Sequence, residues 1–180
     1  MKRIFTSLFL AALLAQTQTV LSQEATAEAR AVGTGYVAEE YGDWSIRCIT
    51  APEGQQDQCS LYQLLYSADG APVSEFSIFA LASDGPAAAG ATIVVPLETL
   101  LTEQLTMAVD GQNARVYQFS SCNAAGCVAR IGFTQAEMDE MKRGISAAIR
   151  IVPAAAPDRN VVLDISLLGF TAGFEALSAR

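Results

Sequence analysis

Four cysteines, Cys48, Cys59, Cys122 and Cys127, are the residues with the most direct chemical potential in this 180-residue chain. The stretch "SSCNAAGCVARIGF", residues 120–133, sets two of them five positions apart on a Gly-bearing turn ahead of an apolar run. Three chemistries compete for such a pair. A thioredoxin-type dithiol wants C-x-x-C at a helix N-terminus, where the dipole and a short loop lower the thiol pKa. Here four residues intervene, and "VARIGF" alternates like a strand. A four-cysteine zinc site usually spaces its close partners by two to four residues, and the ten residues between Cys48 and Cys59 fit that poorly. The third chemistry is a pair of disulfides. An even cysteine count in an exported chain reads first as a disulfide framework. Of the three possible pairings, the local one is expected, Cys48 with Cys59 and Cys122 with Cys127, since each pair brackets a turn-like stretch. Chain-entropy arguments give about 3 kcal/mol for the longer loop and about 2 kcal/mol for the shorter, enough to secure loops without creating the fold.

Other side chains narrow the chemistry further. No histidine occurs anywhere, which removes Ser-His-Asp and Cys-His nucleophile systems, HExxH zinc sites and imidazole acid-base work as usually built. Carboxylate or lysine chemistry remains. After the first 22 residues the only lysine is Lys142, placed in the last turn of an expected helix, where it meets the dipole. Among the carboxylates, Asp110 reads as a turn former. Asp164, within "VVLDISLL", reads as an exposed-face residue or as the partner of Arg47, Arg130 or Arg150. No catalytic, cofactor-binding or metal-binding residues are assigned, and no cofactor is expected.

The elements that must position the cysteines read mostly as short strands of period two. "DWSIRC" alternates Trp44, Ile46 and Cys48 on one face, with Trp44 as a core anchor. "CSLYQLLYS" and "SEFSIFALA" follow around a hairpin at "ADGAP". Further strands are expected in "ATIVVP", "EQLTMAVDG", "ARVYQFSSC", "CVARIGF", "SAAIRIV" and "NVVLDISL". About nine strands with few helices between them predict an all-β antiparallel sandwich. One short helix is expected over residues 134–144, from the capping box of Thr134 with Glu137 to a left-handed cap at Gly144. Met138 and Met141 would face the sheet, and Phe170 and Phe174, four apart, suggest a terminal turn or short helix.

The start of the chain supplies the compartment. "MKRIFTSLFLAALLAQTQTVLSQ" has a basic start, an apolar centre from Ile4 to Ala15 and a plausible cleavage site after Ser22. This reads as a secretory signal peptide over residues 1–22, too short to span a bilayer. Residues 23–40, rich in Ala, Glu, Thr and Gly, read as a flexible leader, and residues 41–180 as a single domain. Without the first 22 residues the net charge is 9 minus 19, or −10. That balance gives no footprint for nucleic acid or for an anionic membrane surface, and the mature chain is expected to lack a transmembrane segment.

Several of these motifs in order, "YGDWSIRC", "VVPLETLL", a strand ending "VDG", "SCNAAGC" followed by "VAR", a short helix closing in Gly, and "ISLLGFTAGFEAL", resemble the invasion-associated locus B family. The resemblance covers residues 41 to about 178. It implies a small exported protein of Gram-negative bacteria, mostly β, located in the periplasm or outer envelope, with members linked to host-cell invasion. Its cysteines carry over to Cys122 and Cys127, and more loosely to Cys48 and Cys59. It implies no catalytic set. Two function classes follow: a non-enzymatic envelope protein that binds a protein or surface component, and a carboxylate-dependent enzyme acting on envelope glycans, which would need two acids about 5 to 9 Å apart.

Overall fold

The computed structural model describes residues 30–81 and 85–180; the expected signal peptide lies outside the described residues, as do residues 23–29 of the expected leader. Two antiparallel sheets carry the fold. The larger has the order β1 (Gly35–Tyr41), β2 (Trp44–Ile49), β3 (Gln58–Tyr66), β4 (Pro72–Ala80), β5 (Ala89–Val95), β9 (Gly126–Phe133), β8 (Phe119–Asn123). The smaller has the order β11 (Val161–Ser166), β10 (Ser146–Ile151), β6 (Leu105–Val109), β7 (Gln112–Tyr117). Among the described residues eleven strands stand where about nine are expected. The first addition is β1, paired with β2 from Gly35↔Ile49 to Tyr41↔Trp44. The second comes from "ARVYQFSSC", which breaks at Gln118 and passes from the small sheet into the large one as β7 and β8.

The alternation in β2 works as its side chains predict. Trp44, Ile46 and Cys48 are buried, while Arg47 and Ile49 face out. Trp44 packs edge-on to Phe76 at 5.5 Å between ring centroids and against Phe170 at 5.2 Å. Phe170 belongs to helix α2 (Phe170–Ser178), which lies on the inner side of β1 to β4. The small sheet closes the rest of the core with Leu105, Ile149, Leu163 and Ile165. Burying large apolar side chains of this kind contributes about 1.5–3 kcal/mol each, so the core supplies most of the stability.

Local signals set the turns. Asp110 and Gly111 both take positive φ, 47° and 68°, the geometry of a type I′ hairpin between β6 and β7. Helix α1 (Gln135–Arg143) begins at the expected capping box, with both reciprocal bonds between Thr134 and Glu137 present, and buries Met138 and Met141. Its exit differs from expectation. Gly144 is extended, with φ −71° and ψ 160°, because the chain runs directly toward β10 without reversing. What Gly144 supplies is room: a Cβ there would stand 2.6 Å from Val109 Cγ1 and 2.9 Å from Leu167 Cδ1.

Candidate functional site

Both cysteine pairs are direct cross-strand partners in the register, Cys48↔Cys59 between β2 and β3 and Cys122↔Cys127 between β8 and β9. The structure brings each pair to disulfide distance, with sulfurs 1.96 and 2.08 Å apart and Cα atoms 4.0 Å apart in both. The second pair sits one residue inside a tight hairpin, in which Asn123 opposes Gly126 and only Ala124 and Ala125 form the loop. Gly126, the glycine of that turn beside Cys127, takes φ +146°.

The first pair matters for what lies over it. Cys48 is buried beneath the large sheet, so its neighbours Arg47 and Ile49 point to the opposite, outward face. There Arg47, Ile49, Gln58, Ser60, Tyr62 and Val37 line a shallow hollow of about 580 Å³. Glu75 and Ser77 of β4 complete its far side. A second hollow of about 460 Å³ adjoins it, sharing Ile49, Gln58 and Ser60 and ending at Phe79 and Ala80. The floor is therefore β2, β3 and β4, with β1 along one margin, and the Cys48–Cys59 pair fixes the register of two of those strands.

Inside the hollow the Arg47 guanidinium lies over the Tyr62 ring, 3.4 Å from its centroid. The two are diagonal neighbours, since Arg47 opposes Ser60 and Ser45 opposes Tyr62. Tyr62 is buried although it faces outward, because the guanidinium covers it. Burial pushes its phenol pKa up; Glu75 adds to that rise and Arg47 draws it back. Arg47 takes part in none of the four ion pairs among the described residues.

A second polar cluster lies at α1. Arg115 of β7 pairs through Nε with Glu137 at 3.1 Å and through a terminal nitrogen with Glu140 at 2.8 Å, and the Tyr117 hydroxyl donates to Glu137 at 3.2 Å. Burial and the adjacent Glu137 carboxylate push the Tyr117 phenol well above its ordinary range. The space beside these groups is only about 10 Å³. Both acids are committed to one guanidinium, so the cluster fastens α1 to β7 and leaves no room for a substrate.

The remaining sequence candidates are dispersed. Asp164 is exposed on the outer face of the small sheet opposite Ala148, and it forms none of the ion pairs with Arg47, Arg130 or Arg150. Asp110 serves its turn and also accepts from the backbone N–H groups of Ile145 and Ser146. Lys142 stands 4.0 Å from Glu175 and 5.7 Å from the Phe174 ring centroid, joining α1 to α2. Among the described residues, no cluster of His, Cys, Asp or Glu could hold a metal, and no helix is long and apolar enough to cross a membrane.

Comparison with known proteins adds to this geometry. A family model described as Invasion associated locus B (IalB) protein matches residues 44–178. Two Brucella abortus proteins, each named Invasion protein B homolog and coming from strain 2308 and from biovar 1 strain 9-941, are 26% identical over 174 residues. Each match covers 92% of this chain and 94% of the relative. The crystal structure of invasion associated protein B from Bartonella henselae superposes with a TM-score of 0.65 at 25% identity, over 78% of this chain and 95% of that one.

Proposed function

The chain belongs to the invasion associated locus B family, and from that premise we propose that it is an exported, non-enzymatic envelope protein that binds a protein or surface component through the outer face of its large sheet. The observation that carries this reading is the Arg47–Tyr62 stack in an open hollow above the Cys48–Cys59 pair. A cation and an aromatic ring, fixed by register and left without an ion-pair partner, form a recognition surface at low entropic cost. The names of the relatives, invasion proteins of Brucella and Bartonella, and the signal-like first 22 residues support location in the periplasm or outer envelope. The enzyme alternative has less support, because the adjacent carboxylates Glu137 and Glu140 are both bound to Arg115.

The test joins location to binding. Native protein is expected to have an intact mass that begins at Gln23, and to bind isolated envelopes saturably, with Arg47→Glu weakening that binding about tenfold or more. A mass retaining residues 1–22, or binding indifferent to Arg47→Glu, would overturn the proposal.

A further inference from the structure

We propose that the paired hollows on the outer face of the large sheet form a binding site for a neutral oligosaccharide, an inference that rests on the binding reading above and names its ligand. Strands β2, β3 and β4 are paired on both sides, so their backbone N–H and C=O groups are consumed by the ladder. The floor can offer side chains only. An extended peptide captured by strand addition needs a free edge; the near one is β1, at the margin of the hollow, and not its floor. The ligand must read side chains across a broad, shallow face.

Those side chains suit a sugar. Phe79 lies over Gly90, where a Cβ would come within 2.2 Å of Cε2 and 2.5 Å of Cζ. The ring thus occupies the space a side chain at Gly90 would need, and Phe79 remains half-buried. Its outward side offers a platform for the C–H face of a pyranose. At the other end the Arg47 guanidinium, seated on Tyr62, has planar donors matched to two neighbouring hydroxyl oxygens. Around them the hollows are lined by Gln58, Ser60, Ser77 and Glu75, donors and acceptors that an apolar partner would leave unpaired at a cost in affinity. The charges of Arg47 and Glu75 offset each other within the hollow, and the chain as a whole is acidic. An uncharged chain of sugar units fits that balance better than an anionic one.

The experiment is an NMR titration of the intact protein with cellohexaose, chitohexaose and maltohexaose, and with hexagalacturonate as the anionic comparison. At least one neutral hexaose is expected to shift the amides of Arg47, Ser60, Tyr62 and Ser77 while leaving β6 and β10 unmoved. Arg47→Ala should weaken that binding about tenfold. Phe79→Leu, which keeps an apolar cover on Gly90 but removes the ring, should do the same, and Asp164→Asn should change nothing. The inference is overturned if no probe shifts these amides at about 10 mM, if hexagalacturonate alone does so, or if both variants bind unchanged. Should the sugars fail while Arg47-dependent binding to envelopes persists, the ligand is a protein or lipid and only this inference falls. Loss of both signals removes the binding reading as well.

Discussion

The side-chain amide of Gln63 bonds both backbone groups of Ser166: Nε2 donates to the carbonyl and Oε1 accepts from the N–H, each at 3.0 Å. A strand partner would make the same two bonds, and here one side chain of β3 makes them with the end of β11. The Trp44 indole donates to that same carbonyl at 2.7 Å, and Gln63 also donates to Asp43 O at 3.3 Å. The two sheets are thereby joined by hydrogen bonds at the point where the chain turns into α2.

Replacing Gln63 with Leu should therefore cost about 2–4 kcal/mol, because it removes three bonds and leaves the Ser166 N–H without its partner. Urea unfolding should show a lower midpoint with an unchanged slope. A loss below about 0.5 kcal/mol, the scale of ordinary surface changes, would mean that Gln63 does not hold the sheets together.

Gln63 is also where the sequence was hardest to read. Strand β3 places Leu61, Gln63 and Leu65 on one face, all buried, and an inward Gln within an apolar row is the one local sign that a buried polar partner must exist. Nothing local names Ser166, 103 residues away. Strand β2, the Asp110–Gly111 turn and the capping box of α1 were legible because each depends on neighbours in sequence. Strand β1 was not: "GYVAEEY" carries two adjacent acids and a register shift between Val37 and Glu39. It is held from outside, by β2 and by the Tyr36 hydroxyl donating to Asp57 at 2.6 Å. The hollow was equally hidden, since Arg47 and Tyr62 meet only once β2 and β3 adopt their register.

Peptide mapping without reduction should find Cys48 linked to Cys59 and Cys122 linked to Cys127. Replacing Cys122 and Cys127 together by Ser should lower stability by about 1–3 kcal/mol and leave the fold recognisable, because Cys122 is an exposed residue of an edge strand. The same change at Cys48 and Cys59 should cost more, since the loop they close is longer and both lie on strands paired on either side. Free, readily alkylated thiols at both hairpin cysteines would revive the dithiol chemistry.

Acid should loosen α1 from β7. The Arg115 hydrogen bond holds the Glu140 carboxyl below its ordinary value of 4.5. At Glu137 burial pushes upward, but the Thr134 N–H and hydroxyl, the Tyr117 hydroxyl and Arg115 outweigh it, and the pKa again lies below 4.5. Both groups are lower in the folded state, so their contribution is present above the unfolded value and is lost as pH falls through the folded one. The melting temperature should drop between about pH 5 and about pH 3, and the drop should be smaller in Arg115→Gln. Equal slopes in the two proteins would show that the cluster does not couple to folding.

Photo-crosslinking from the two outer faces in intact cells tests most directly which face of the sandwich meets a ligand. A diazirine amino acid at Ser77, in the hollow of the large sheet, is compared with one at Asp164, exposed on the small sheet; the group inserts into sugar and protein alike. Adducts are predicted from position 77, weakened by Arg47→Ala, and not from position 164. Equal labelling from both faces, or labelling from position 164 alone, would contradict the assignment of the large sheet as the binding face.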